Sequence, residues 1–380
     1  MMLTDEQVMI RDMARNYARE RLAPTAQARE KAGVIEPEII TELGELGFLG
    51  MTIDPDWGGA GADYVSYALA MIEIAAGDGS VSTMVSVQNA PVCAVLDRFG
   101  SDEQKERWLR PLAEGRQIGS FALTEAQAGS DASNLKSKAV RTNEGYTING
   151  TKQFISSARI GRTTVLFAMT DPAAGKKGMS CFVVANDTPG FEVVRVEEKL
   201  GQKASDSCAL AFEDMKVPLN DRIGEEGQGY AIALSSLEAG RIGIAAQATG
   251  LASAAFERAL AYAHERIAFG KPIFELQAVQ FRLSEMATDL EASRQLVLNA
   301  ARMKDRGEPC LKEACMAKLF CAQAAERITS EAIQVLGGYG YLADFEVERI
   351  YRDQKVCQIY EGTNDIQKLV IARQLARELG

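Results

Sequence analysis

The chain has 380 residues, 47% hydrophobic and 25% charged, enough for two or three domains sharing a sizeable core. Its net charge of −10 argues against a nucleic-acid partner, and its single histidine, His264, argues against histidine-built zinc sites and Ser-His-Asp triads. Acid–base chemistry then falls to carboxylates, lysines, tyrosines or a cofactor.

Residues 1–118 read as helical. Asp5–Leu22 and Glu36–Leu46 carry apolar side chains at three- and four-residue spacings, and Asp63–Ala76 and Val81–Phe99 continue the pattern with small residues. Met1–Asp12 lack the basic-then-apolar layout of a signal peptide, and no apolar run reaches the length of a membrane span. Cys93, Cys181, Cys208, Cys310, Cys315, Cys321 and Cys357 form no CxxC pair and read as reduced thiols. A cytoplasmic location is the expectation.

Between residues 119 and 225 the texture changes to short β-branched or aromatic runs: Ser120–Leu123, Ala139–Thr142, Tyr146–Ile148, Thr163–Met169, Cys181–Val184, Phe191–Val196 and Ala209–Phe212. Asn149-Gly150, between Tyr146–Ile148 and Thr151–Ile155, predicts a hairpin on a type I′ turn. An antiparallel sheet or barrel is expected. From residue 226 to 380 the spacing predicts helices over 227–265, 276–306, 310–336 and 364–378, broken at Gly270-Lys-Pro272, Gly307-Glu-Pro309 and Gly337-Gly-Tyr-Gly340. Four such helices suggest a bundle. Asn364 and Gln367 have the spacing of a capping box for the last one.

No GxGxxG follows a strand and no Walker A loop is present, so a redox cofactor would not sit in a Rossmann unit. Four segments are unusual for plain packing. Phe121-Ala-Leu-Thr-Glu-Ala-Gln-Ala-Gly-Ser-Asp131 fits either a capped turn or a loop whose N–H groups approach an anionic or heteroaromatic ligand. Lys152-Gln-Phe-Ile-Ser156 puts Phe154 and Ser156 on one strand face, for core packing or for stacking a ring. Arg266-Ile-Ala-Phe-Gly-Lys-Pro272 with Gln277 fits dipole compensation at a helix end or a pyrophosphate contact. Gln334-Val-Leu-Gly-Gly-Tyr-Gly-Tyr341 is the first half of the fourth. Its second half, Ile359-Tyr-Glu-Gly-Thr-Asn-Asp-Ile-Gln367, sets Glu361 before a helix start, where a carboxylate offsets the dipole or does chemistry.

In the same order stand Met84–Asn89, Phe99-Gly-Ser-Asp-Glu-Gln-Lys105, Phe212-Glu-Asp-Met-Lys-Val-Pro218 and Gly224-Glu-Glu-Gly-Gln-Gly-Tyr230. Together these segments resemble the acyl-CoA dehydrogenases over residues 3–378, closest to the short-chain and branched-chain members. The resemblance implies an α+β, mostly α, fold: an N-terminal all-α domain (1–118), a central antiparallel β domain (119–225) and a C-terminal four-helix bundle (226–380). It also implies FAD as cofactor and a homotetramer, a dimer of dimers, because FAD reaches into a neighbouring subunit.

By this resemblance Phe121, Leu123, Thr124, Gly129 and Ser130 line the isoalloxazine edge and pyrophosphate. Phe154, Ile155 and Ser156 stand where most relatives have Trp-Ile-Thr, with the Ser156 hydroxyl near flavin N5. Arg266, Phe269, Gln277, Gln334, Val335, Gly337 and Gly338 hold the ADP half from the adjacent subunit, and Thr363, Asn364 and Asp365 complete the flavin site. Ser130, Glu238, Arg241 and Gly362 contact the CoA thioester, while Asn89 lies on the helix lining the acyl end. Glu361 matches the family's base; a second subgroup carries the base just before the arginine matching Arg241, and that position is Gly240 here.

The implied reaction is α,β-dehydrogenation of a short, branched or cyclic acyl-CoA to the 2-enoyl-CoA. Glu361 takes the α proton, flavin N5 takes the β hydride, and an electron-transferring flavoprotein receives the electrons. Gly79-Ser-Val-Ser-Thr83 offers no cation for a dicarboxylic chain. The alternatives are an oxidase, desulfinase or nitroalkane-type enzyme on the same scaffold, or a helical scaffold without activity. Retention of Glu361, Ser156, Arg266 and the Gln334–Gly338 loop weighs against the last.

Overall fold

The structure, a computed structural model, describes residues 3–379. The first part is helical. Thr4 caps helix Asp5–Tyr17 through reciprocal bonds with Gln7, and helices Pro37–Glu45, Tyr64–Gly77 and Gly79–Val87 follow. Tyr64–Gly77 is apolar on nearly all sides and is buried accordingly, lying against the long helix Gly229–Glu265. The single helix predicted over Val81–Phe99 is interrupted. Pro91 lacks an N–H, Ala90 takes extended angles (φ −142°, ψ 109°), and the chain widens over Gln88–Cys93 before Ala94–Phe99 resumes the α-helix.

Eight strands form one sheet: β1 (Gly119–Ala122), β2 (Lys138–Arg141), β3 (Gly145–Ser156), β4 (Thr163–Met169), β5 (Met179–Ala185), β6 (Phe191–Val196), β7 (Ser207–Pro218) and β8 (Arg222–Ile223). Their order is β6-β7-β3-β2-β4-β5-β8, with β1 joined to β4. Most pairs are antiparallel, but β1 and β2 each run parallel to β4. The predicted hairpin at Asn149-Gly150 does not form. Both runs belong to the one strand β3, which pairs along its length with β7 and shifts register between Ile148 and Gly150. Gly150 is needed there because Ser137 packs onto it: a Cβ on Gly150, at φ 153°, would lie 2.3 Å from the Ser137 Oγ.

The last third is a helical bundle of Gly229–Glu265, Gln277–Asp305, Leu311–Leu336 and Asn364–Leu379. Small residues from Ala239 to Ala255 let the first of these run through the centre, buried on every side. Among the described residues no helix is long and apolar enough to cross a membrane. All seven cysteines are buried and none is in a disulfide.

Candidate active site

Glu361 lies in the loop that enters the last helix. Glu361 (φ 52°) and Gly362 (φ 82°) both take left-handed backbone angles, uncommon for a glutamate and a form of local strain that surrounding bonds must hold. Those bonds are present. The Gln367 side-chain amide donates to the Glu361 carbonyl at 3.1 Å and to the Gly362 carbonyl at 2.8 Å. The Lys318 ammonium, from helix Leu311–Leu336, donates to the same Gly362 carbonyl at 2.8 Å and to Asn364 Oδ1 at 3.2 Å. On the other side the Tyr360 hydroxyl donates to Gln247 Oε1.

The helix start differs from the predicted capping box. Thr363 is the cap, its Oγ1 accepting the Ile366 N–H at 3.3 Å. Gln367, one position beyond the reach of a capping box, turns back to the loop carbonyls instead. Asp365 is exposed and pairs with Lys368 at 3.0 Å.

The Glu361 side chain reaches helix Gly229–Glu265 and rests on Gly240, where a Cβ would come 2.7 Å from its Oε2. Burial raises its pKa to about 7, against the opposing pull of Arg241 and Lys318. Among the described residues nothing hydrogen-bonds its buried Oε2, and the buried Arg241 Nε is likewise without a partner. The site therefore holds a carboxylate and a guanidinium with bonding capacity to spare, which suits a polar ligand.

Other candidates are already engaged. Glu238 accepts from Lys304 Nζ at 3.0 Å and lies 3.4 Å from the Cys310 thiol. Asn89 is spent on backbone: its Oδ1 accepts the Met51 N–H at 2.7 Å, and its amide donates to the carbonyls of Phe48 (2.8 Å) and Val85 (2.9 Å). It shapes the widened turn before Pro91 and, buried with both amide protons spent, has no donor left for a ligand.

A second group forms on the sheet. Lys152 and Glu125 make a buried ion pair at 2.9 Å, and Lys152 also donates to the Leu123 carbonyl at 3.0 Å. Glu125 further accepts the Lys136 and Ser137 N–H groups, so the pair ties the loop Phe121–Ser130 to β3. Leu123 is buried, Thr124 half-buried, and Gly129 and Ser130 exposed, with open space around Gly129. Phe121 tilts against Phe167. The alternation predicted for Phe154 and Ser156 is broken by a register shift between Lys152 and Ile155. At φ 60° Phe154 turns outward and is 64% exposed, Ser156 is half-buried, and the Ile155 side chain sits in the sheet core.

A third group lines a cleft of about 410 Å³ that includes Tyr262, Arg266, Val335, Gly337, Gly338 and Tyr339. Gln277 and Gln334 are exposed, and Phe269, at φ 53°, is 91% exposed. Neither Glu361 nor any residue of Phe121–Ser130 or Phe154–Ser156 lines this cleft.

Lys318 and the Lys152–Glu125 pair carry no expectation from the motifs above, and Gln367 carries only that of a capping partner. A lysine inside the apolar stretch Ala314–Cys321 was a visible signal, since a charge on a packed face calls for a partner. Gln367 offered none beyond its spacing to Asn364.

The chain matches the family models for the acyl-CoA dehydrogenase N-terminal domain (residues 4–116), middle domain (120–215) and C-terminal domain (227–376). An acyl-CoA dehydrogenase of Bacillus subtilis is 44% identical, covering 99% of both chains. The mitochondrial short-chain specific acyl-CoA dehydrogenase of Homo sapiens is 42% identical over 99% of this chain and 91% of that one. The solved butyryl-CoA dehydrogenase of Megasphaera elsdenii superposes with a TM-score of 0.97 at 40% identity, over 99% of each chain. A chain from the structure of the electron transferring flavoprotein of Acidaminococcus fermentans gives 0.98 at 42%, also over 99% of each.

Proposed function

Because the chain belongs to the acyl-CoA dehydrogenases, a family of FAD enzymes, we propose that it oxidises a short-chain acyl-CoA to the 2-enoyl-CoA with Glu361 as the base. The observation that carries this reading is the buried Glu361 carboxylate over Gly240, with an unbonded oxygen and a pKa near neutrality. An ordinary carboxylate is a poor match for a weakly acidic thioester α proton; raising its pKa to about 7 narrows the gap. Arg241 and Lys318 keep the carboxylate ionisable despite burial. Gly362, and Ser130 on the sheet loop, flank the thioester in this reading, as does the helix carrying Glu238.

The residues present fit FAD. The outward Phe154 ring, the half-buried Ser156 and the open Gly129-Ser130 loop suit a flat heteroaromatic ring and its phosphates, and in this reading Thr363, Asn364 and Asp365 complete the flavin site. The cleft at Arg266, Gly337 and Gly338 suits an ADP half, and the exposed Phe269, Gln277 and Gln334 are free to join it in this reading. Bound there, FAD supplies the two-electron acceptor for the hydrogen that leaves the β carbon.

Two observations favour a short chain. Two of the named relatives, the human and Megasphaera elsdenii proteins, are short-chain specific or butyryl-CoA enzymes. One helical turn past Gly240, a Cβ on Gly243 would meet the Tyr67 hydroxyl at 2.5 Å and Ser86 Oγ at 3.0 Å, so space next to the base is already filled. The likeness to a chain solved with an electron transferring flavoprotein supports such a protein as electron acceptor. A homotetramer accounts for a cleft with no part in the Glu361 site, and a cytoplasmic setting accords with seven reduced thiols.

Anaerobic addition of butyryl-, isobutyryl-, cyclohexanecarbonyl- and octanoyl-CoA to the purified yellow protein tests the reading. Butyryl-CoA is expected to bleach the flavin fastest, and reoxidation is expected by an electron transferring flavoprotein with little peroxide. A protein that no acyl-CoA bleaches, or that octanoyl-CoA bleaches best, overturns it.

A further inference from the structure

Lys318 is fully buried, the one charged residue of helix Leu311–Leu336 to be so. An ammonium taken out of water is costly, and burial lowers its pKa to about 8. Its two hydrogen bonds go to uncharged oxygens, the Gly362 carbonyl and Asn364 Oδ1. Those two atoms bracket Thr363, the cap of the last helix, and the first belongs to the residue after Glu361. A plain helix-packing position would be better filled by leucine or methionine. The charge therefore serves the loop it reaches.

We propose that Lys318 is a positioning residue for proton abstraction, holding the left-handed Glu361–Gly362 turn through the Gly362 carbonyl and favouring the ionised form of the carboxylate above Gly240. This rests on the reading of Glu361 as the base. Gln367 grips the same Gly362 carbonyl and that of Glu361 without carrying a charge, so the two residues separate the mechanical part from the electrostatic part. The groups facing Glu361 are Arg241 from helix Gly229–Glu265, Lys318 from Leu311–Leu336 and Tyr67 from Tyr64–Gly77. Those facing Lys318 are Cys357, Glu361, Arg241 and Cys315. Without Lys318, Arg241 alone opposes the desolvation of Glu361, whose pKa then rises further.

The test compares Lys318→Met, Lys318→Arg and Gln367→Met as FAD-loaded oligomers, reading kcat and KM for butyryl-CoA across pH, flavin content and melting temperature. Displacement of a reacting group by about 1 Å can cost about 100-fold in rate, so Lys318→Met is expected to lose about that in kcat with KM changed less than about threefold. Its acid limb in kcat/KM moves to higher pH, because a carboxylate with one cation fewer holds its proton longer. Lys318→Arg brings the acid limb back towards the wild-type pH. Gln367→Met lowers kcat and leaves the acid limb where it was. A flavin-loaded Lys318→Met with near-normal kcat, or with an unmoved acid limb, overturns the proposal. Should that variant not fold, Gln367→Met and Lys318→Arg decide: normal kcat in the first, or an acid limb displaced upward in the second, overturns it. Wild-type protein inert towards every acyl-CoA instead overturns the assignment of Glu361 as base, which sets the two failures apart.

Discussion

The Glu361 carboxylate occupies the space a side chain at Gly240 would take: a Cβ there lies 2.7 Å from Oε2 and 3.0 Å from Oε1. The two chain positions that the family resemblance offers for a base are thus neighbours in space, and here only Glu361 is a carboxylate. Gly240→Ala should push the carboxylate aside and lower kcat with butyryl-CoA by about 100-fold while flavin stays bound. Moving the base, by Gly240→Glu combined with Glu361→Gly, should return part of the activity that Glu361→Gly alone abolishes. Steady-state rates for the three variants check this, and an unaffected Gly240→Ala refutes the steric argument.

Glu361→Gln should retain flavin and lose most turnover, and its stability should depend on pH in a defined direction. The folded-state pKa of about 7 lies above the ordinary 4.5. Below 4.5 the group is neutral in both states and costs nothing. Between these values the folded chain keeps a proton that the unfolded chain has released, so stability falls as pH rises; above 7 the whole penalty, up to roughly 3 kcal/mol, is present. Thermal melts of wild type and Glu361→Gln should therefore diverge at pH 8, the variant melting higher, and converge towards pH 5. A difference independent of pH counts against a desolvated carboxylate.

The Lys152–Glu125 pair is buried at both ends, and burial lowers the Lys152 pKa to about 8 even with the carboxylate beside it. Lys152→Met leaves Glu125 charged and unpaired, which costs about 3–5 kcal/mol for a pair of this kind. Because Glu125 also takes the Lys136 and Ser137 N–H groups, the loss should loosen the Phe121–Ser130 loop and lower flavin retention. Adding Glu125→Gln should recover part of the melting temperature. Flavin content after gel filtration and a melt of each variant measure both effects.

Asn89→Ala removes three bonds to backbone groups around the Pro91 turn. The expected cost is about 2–4 kcal/mol of stability, since buried partners are left unsatisfied. KM for butyryl-CoA should stay within about twofold if the amide serves the fold and not the ligand. A large rise in KM with an unchanged melt would reverse that assignment.

The long helices were legible because an apolar stripe sustained over many turns leaves little choice of period: the reading of 227–265 and 310–336 meets helices Gly229–Glu265 and Leu311–Leu336. Local motifs were read less well where a tertiary contact decided the outcome. Asn149-Gly150 has the chemistry of a turn, yet Ser137, just before β2, uses the glycine for close approach. Pro91 was visible in the sequence, but its turn is made tolerable by Asn89 bonding to residues some forty positions earlier, which no window along the chain contains. Glu361 stood out only through the family resemblance, because a carboxylate before a helix start is as readily explained by the dipole. That Lys318, forty-three positions before it, reaches the next carbonyl is a property of how two bundle helices pack.

The seven sealed cysteines carry a practical consequence. Burial holds every thiol above its ordinary pKa, so almost no thiolate meets solvent while the chain is closed. They are spread from the widened turn at Cys93, through the sheet at Cys181 and Cys208, to the bundle at Cys310–Cys321 and Cys357. Alkylation, residue by residue, thus becomes a clock on which layer of the molecule opens first.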